Sequence, residues 1–373
     1  MTLYQFFCKI YRRLFLSDEV VVHRTAKDAP WALVSYIPFA LTHWYDDEFL
    51  DEHQSRREMF VIDRVLREAG YNVYNIANSS KRKLPNKDFK LIFGLEPVFC
   101  KACEEYPNAT KVYYATGAYV DHQNGMIKKL TDEFNAKYAT KIPCRRTVEH
   151  HKAAYQADKI LQIGSEYTKE TYPEELRDKI TLIHQSTQSV RLLEKIDYAP
   201  ENEYFFMSSS GNILKGVPQM VECFAKHPEL KLHIVGPLEE DVVEALKDLL
   251  TPNIVLHGFM NVNSDGYLNI LSKCNFIIYP SGSEGVPGAV LNSMKNGLIP
   301  VCTKWASFEN IEDYGYVLSD VTESEVEGGI QWTMSLTKEE IAQMKLKCMN
   351  MISNVYTLRY FEKDFQEFIN NLK

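Results

Sequence analysis

Two charged residues sit where loop chemistry is most useful: Glu284 in the stretch PSGSEGVPG and Lys215 in the stretch SSSGNILKG. Before Glu284, the apolar run Phe276, Ile277, Ile278, Tyr279 is short and β-prone, as expected of a buried parallel strand. Pro280 and the Ser/Gly cluster stop it. Pro287 and Gly288 then suit the start of a helix whose Val290, Leu291 and Met294 share a face, with Gly297 left-handed beyond its end and a further strand over 298–302. Glu284 therefore lies at the carboxyl end of a strand and faces a helix N-terminus, where free N–H groups and the helix dipole favour an anion. Open α/β sheets bind ligands at such crevices. The Lys215 unit repeats the pattern. A strand over 204–207 leads to Gly211, which lets the backbone approach a ligand closely, and Lys215 and Gly216 open a helix.

Taken together, these loops resemble the nucleotide-sugar-dependent glycosyltransferases of the GT-B fold, specifically the retaining family 4 type (glycosyl transferases group 1). The P-S-x-x-E-G loop matches as Pro280, Ser281, Glu284 and Gly285. The resemblance implies that Glu284 contacts hydroxyls of the transferred sugar, that the amides over Gly285, Val286, Pro287 and Gly288 hold the distal phosphate, and that Lys215 neutralises the diphosphate. It also implies a second acid eight positions after Glu284 on the ribose, and an arginine five positions before Lys215; this chain has Asn292 and Ser210 there. An amide still hydrogen-bonds a diol but carries no charge. By the same resemblance Gly211, Gly236 and Phe259 belong to the donor site, with the base near Gly236, Pro237 and Phe259. The fold implied is α/β: two Rossmann-like doubly wound domains facing a central cleft, with no cofactor and no metal.

The bulk composition agrees with a chain of this kind. At 373 residues, 45% hydrophobic and 25% charged, two globular domains of ordinary size fit. A net charge of −8 argues against a general nucleic-acid binder, which needs a concentrated basic surface. The eight cysteines show no framework spacing, and Cys100 and Cys103 form a lone C-x-x-C without a second pair or nearby histidines. Reduced structural thiols in a cytosolic protein are expected. No run of roughly 18 apolar residues is present, and the start lacks a signal-peptide cleavage pattern.

The first half must then supply the acceptor side. Residues 1–30 begin with an amphipathic stretch in which Tyr4, Phe6, Phe7, Ile10, Tyr11, Leu14, Phe15 and Leu16 alternate with Lys9, Arg12 and Arg13. Such a helix suits the interface of an anionic membrane, and equally suits packing on the protein's own surface. The first core strand is expected over 31–41, then the polar loop 43–54, and then an S-x-x-E capping box of Ser55 and Glu58 opening a helix. The 43–54 loop replaces the family's glycine-rich turn, which makes His53 an acceptor-side candidate. After the strand 111–115 come Thr116 and Gly117, where the family commonly has a histidine near the anomeric carbon; His122, a few residues later, is the candidate for that role if a loop returns it. A long helical stretch over 126–155 carries Arg145, Arg146, Glu149, His150 and His151, a solvated face or a site for an anionic acceptor. A linker falls over 184–202. The expected domains are an N-terminal extension 1–30, an acceptor-side domain 31–195, a donor domain 203–352 and a returning C-terminal helix 353–373. Helices are expected over 323–354 and 358–372, the last with an apolar face of Tyr360, Phe361, Phe365 and Phe368.

The function this implies is retaining, metal-independent hexosyl transfer from a UDP-, GDP- or ADP-sugar to a hydroxyl of a glycan or lipid-linked acceptor, in surface polysaccharide or glycolipid assembly. The protein would be cytoplasmic, with peripheral contact to the inner face of the membrane. Two rivals stand beside it: a GT-B nucleotide-sugar epimerase, and a non-catalytic nucleotide-sugar or sugar-binding protein, the latter favoured by Asn292, Ser210 and the absent glycine-rich loop.

Overall fold

A computed structural model describes residues 2–200, 203–306 and 308–372. Met1, Lys373 and Asn202, which bound the expected first segment, last segment and linker, lie outside the described residues, as do Glu201 and Ser307.

The strands fall into two sheets. The first contains β1 (Val20–His23), β2 (Trp31–Tyr36), β3 (Asn72–Ala77), β4 (Phe89–Gly94), β5 (Thr110–Ala115), β6 (Lys159–Ile163) and β7 (Ile180–Ile183), in the order β1-β3-β2-β4-β5-β6-β7. All pairs are parallel except β1 with β3. The second contains β8 (Glu203–Met207), β9 (Lys231–Val235), β10 (Ile254–Gly258), β11 (Cys274–Tyr279), β12 (Ile299–Thr303) and β13 (Tyr316–Leu318), in the order β10-β9-β8-β11-β12-β13 and wholly parallel. The parallel strands of each sheet reverse their winding direction once, between β2 and β4 and between β8 and β11. Those two switch points are where doubly wound sheets open a crevice at their strand ends. Every residue of β11 is buried, because helices cover both faces of a central parallel strand.

Several local expectations are corrected. Three valines after Asp18 and Glu19 form β1, an antiparallel edge strand where only an extension was expected. β2 stops at Tyr36, since Pro38 begins the short helix Phe39–Thr42. The helix after β5 spans Val120–Tyr138 and ends at Ala139 in a left-handed conformation; Asn135 Oδ1 then accepts from Ile142 N at 2.8 Å and from Thr140 Oγ1 at 2.7 Å. Residues 140–152 are therefore an irregular crossing segment instead of helix. The expected helix over 323–354 is two, Glu323–Ser335 and Lys338–Asn354, because Thr337 and Glu340 make a new capping box at the break.

The helix Gln54–Glu68 is capped by His53, whose side chain accepts from Ser55 N, so the capping box of Ser55 and Glu58 does not form. The final helix, Leu358–Asn370, buries Phe361, Phe365, Phe368 and Ile369. It packs back on the first sheet: the Phe365 ring lies 5.4 Å from Phe93 of β4, and Arg64 reaches Glu362 at 2.8 Å. Tyr360 stands outside that apolar face, edge-on to His184 at 5.3 Å.

Candidate functional site

The loop after β8 and the loop after β11 lie side by side because the two strands are neighbours. Gly282 N donates to Leu214 O at 2.8 Å. Gly216 has φ +74° and passes so close to Pro280 that a Cβ there would meet Pro280 O at 2.5 Å. Only glycine permits both that backbone conformation and that approach. The consequence is a direct ion pair between Lys215 Nζ and Glu284 Oε1, with the two side chains 5% and 14% exposed. Tyr279 Oη at 3.1 Å and Ser281 Oγ at 3.0 Å donate to the same carboxylate oxygen. Burial, joined by nearby Arg146, pulls the Lys215 ammonium well below the ordinary lysine range, and the carboxylate at Nζ opposes that pull.

A cavity of about 660 Å³ opens above this pair, between the strand ends of the two sheets. From the second sheet it is lined by Lys215, Gly236, Phe259, Glu284, Val286, Pro287, Gly288 and Asn292, and from the first by His53 and Thr116. Phe259 is 84% exposed, a large ring held at the cavity rim. Asn292 is buried; its Nδ2 donates to Gln188 Oε1 at 2.6 Å, which leaves Oδ1 buried with no partner among the described residues. An amide can make that donation and a carboxylate cannot.

Other expected residues stand elsewhere. His122 does not line the cavity. It lies in the first turns of the helix Val120–Tyr138, not in a loop, with Nε2 3.1 Å from Gly282 O and its ring 4.5 Å from Trp305. It thus ties the first domain to the Glu284 loop. Gly211 also stays outside the cavity, because its N–H and that of Asn212 donate to Glu239 at 2.7 and 2.9 Å. Its missing Cβ serves a side chain: a Cβ there would sit 2.5 Å from Arg146 Cδ. Gly117 and Gly285 line a neighbouring pocket of about 240 Å³, and a Cβ at Gly285 would fall 2.3 Å from Thr116 O.

Sequence reasoning missed Glu58 and left Arg146 between a solvated face and a site. Glu58 lines the cavity from the first domain at 1% exposure, with Ser186 N and Oγ donating to Oε1 at 2.6 and 2.9 Å. Burial pushes its carboxyl up to about 7 against those two hydrogen bonds. Its spacing from Ser55 imitates a capping box, which hid it. Arg146 leaves the crossing segment with φ 63°, an unusual conformation for a residue other than glycine, and extends along Gly211 to place Nη1 3.4 Å from Ser210 O. Its neighbour Arg145 is neutralised by Asp241, with contacts of 2.8 and 2.5 Å.

Residues 191–344 match the family described as glycosyl transferases group 1. The match covers less than half of the chain and contains the Lys215 and Glu284 loops. Three solved structures show the fold over most of the chain to be GT-B. A sucrose-phosphate synthase from Thermosynechococcus elongatus aligns with a TM-score of 0.59 at 12% identity, over 92% of this chain and 99% of that one. A glycosyltransferase from Rickettsia africae gives 0.55 at 12%, over 92% and 98%. WaaG, a glycosyltransferase involved in lipopolysaccharide biosynthesis, gives 0.50 at 13%, over 91% and 99%. No curated protein sequence matches the chain. The family match and the shared fold support sugar transfer.

Proposed function

We propose that this glycosyltransferase moves a hexosyl unit, with retention and without a metal, from a nucleoside diphosphate sugar to a hydroxyl of a glycan or lipid-linked acceptor. The observation that carries the reading is the buried Lys215–Glu284 pair on the floor of a cavity framed by both sheets. Residues 203–352 would hold the donor and 31–195 the acceptor. Glu284 positions the sugar hydroxyls. Lys215, Arg146 and the N–H groups at the start of the helix Gly288–Lys295 offset the charge of the diphosphate. Of the amides over 285–288, Pro287 has no N–H, so Gly285, Val286 and Gly288 are the donors. The open Oδ1 of Asn292 accepts from the ribose, and the base lies along Gly236, Pro237 and Phe259. Thr116, Gly117 and His53 serve the acceptor, and His122 is a positioning residue through Gly282.

In the step itself the bond from the anomeric carbon to the phosphate oxygen breaks as a bond to the acceptor oxygen forms on the same face. The acceptor proton passes to the departing phosphate oxygen, so no carboxylate pair flanks the carbon as in a hydrolase. UDP-, GDP- and ADP-sugars, scored by thermal shift and by release of nucleoside diphosphate, test this. One donor is expected to stabilise the protein and be slowly hydrolysed, with turnover reduced at least a hundredfold in Glu284→Ala and Lys215→Ala. Binding without turnover under any acceptor extract would favour a binding protein instead.

The N-terminal helix Leu3–Phe15 supports an acceptor at a membrane. None of its residues is buried, Leu3 and Phe15 are 74% and 70% exposed, and it contains Lys9, Arg12 and Arg13 with no acidic residue. No helix among the described residues is long and apolar enough to cross a membrane. An apolar face beside cations fits an anionic lipid surface at the inner face of the cell membrane, in envelope polysaccharide or glycolipid assembly. Vesicles rich in phosphatidylglycerol should co-sediment the protein, and the double variant Phe7→Glu, Leu14→Glu should stay in the supernatant; equal sedimentation of both would refute this part.

A further inference from the structure

We infer that the pocket beside the main cavity is a subsite for one uncharged pyranose unit of the acceptor. This rests on the glycosyltransferase reading above and names the chemical class its acceptor site takes. The pocket encloses about 240 Å³ and shares Thr116, Arg146 and Glu284 with the donor cavity, so a ligand in it meets the reacting centre at that common wall. Its volume suits a single ring better than an extended ligand. Most of its wall belongs to the first domain, whereas the groups that would hold a nucleotide, Arg146 apart, lie in the second.

The wall is polar in a way the protein itself does not satisfy. Glu96 Oε2 and Ser283 Oγ are buried with no hydrogen-bond partner among the described residues, and Ser283 is 4% exposed. Unmet buried polar atoms are costly, so two lining one small pocket indicate groups that a ligand completes. The other Glu96 oxygen lies 3.4 Å from His151 Nε2, and Tyr113 and Tyr119 add aromatic faces. Rings for the apolar face of a sugar and a carboxylate for its hydroxyls make a pyranose site.

Charge decides which pyranose. The bare Glu96 oxygen accepts from a hydroxyl and repels a carboxylate or phosphate. Arg145 is paired with Asp241, and Arg146, which reaches across Gly211 to Ser210 O, is the cation assigned above to the diphosphate, so neither is left to balance a charged sugar. On this inference the anionic acceptor that the Arg145 and Arg146 run suggested in the sequence is not the ligand of this pocket.

A filling substitution is available. Gly117 lines the pocket without a left-handed backbone, and the nearest atom to a Cβ there is Gln123 Oε1 at 3.9 Å, so Gly117→Leu should fold and occlude the space. The experiment is saturation-transfer NMR on the full chain with methyl α- and β-gluco-, galacto- and mannopyranosides and a methyl glucuronide, with and without UDP, GDP or ADP. At least one neutral glycoside should bind together with the nucleoside diphosphate. Its affinity should fall tenfold or more in Gly117→Leu and about fivefold in Glu96→Gln, while nucleotide affinity changes less than twofold. The inference fails if no neutral glycoside binds, if the glucuronide binds better, or if both variants retain binding. It fails also if the glycoside competes with the intact nucleotide sugar but not with the free diphosphate, since the pocket would then hold the donor's sugar. Glycoside binding without any nucleotide binding would instead overturn the donor reading and leave the pocket standing.

Discussion

Glu284 and Glu58 face one cavity from opposite sheets and are kept there by opposite means. Glu284 has a buried lysine and two hydroxyl donors on one oxygen, all supplied by its own domain. Glu58 has no cation partner among the described residues. Two donors from Ser186 hold one of its oxygens, and burial leaves its carboxyl near neutrality, up to about 7. The first arrangement is a charge compensated in advance, suited to a fixed orienting role. The second is a carboxyl whose charged form burial disfavours. Ser186 belongs to the segment that crosses between the sheets, so its two hydrogen bonds tie that segment to the helix Gln54–Glu68.

Removing the lysine should break the contrast most sharply. Lys215→Ala leaves Glu284 buried beside hydroxyls alone, and a loss of about 3 kcal/mol in urea unfolding is expected at pH 7. Adding Glu284→Gln should recover most of it. For Glu58 the sign runs the other way. Its folded value, about 7, lies above the unfolded value near 4.5, so the stability it contributes is present below pH 4.5 and is lost as pH rises through 7. Glu58→Gln should flatten that slope and stabilise the protein at pH 8 by on the order of 2 to 3 kcal/mol.

His184, two residues before Ser186, extends the comparison to a higher pH. Burial pulls its imidazole down, but Asp364 at 3.2 Å and Glu309 at 3.3 Å outweigh this and raise it to about 9. Its contribution is complete below pH 6.5 and is lost as pH passes 9, by on the order of 2 kcal/mol; the slope should vanish in His184→Gln. The smallest stability effects belong to the paired arginines. Arg145→Ala should cost about 1 kcal/mol, for a half-exposed bridge to Asp241. Arg146→Ala should leave stability within about 0.5 kcal/mol, yet weaken nucleoside diphosphate binding about tenfold by calorimetry. Equal effects from both would remove the distinction between a structural and a ligand-facing cation.

The donor half was legible in the sequence for a physical reason. In a parallel sheet the loop chemistry follows each strand directly, so 276–279 and 204–207 announced the positions of Glu284 and Lys215. Pro287 and Gly297 marked the ends of the intervening helix as the structure has them. The first half was legible mainly as strands. Its β1 escaped because an antiparallel edge strand pairs with a segment some fifty residues on, Val20 with Ile76. His122 was expected in a returning loop, but the residues after Tyr119 continue as helix, and the ring meets Gly282 from there.

What the sequence determined by itself were the local units: the strand, loop, helix repeats, the glycines at close approaches, and the identity of the donor-side charges. Only the tertiary structure decided which groups share a cavity. Glu58 and Ser186 are 128 positions apart, and Arg146 and Ser210 are 64 apart. Whether a carboxylate is paired with a lysine or left close to neutral depends on burial and on partners brought from distant strands, and no local pattern of residues encodes either.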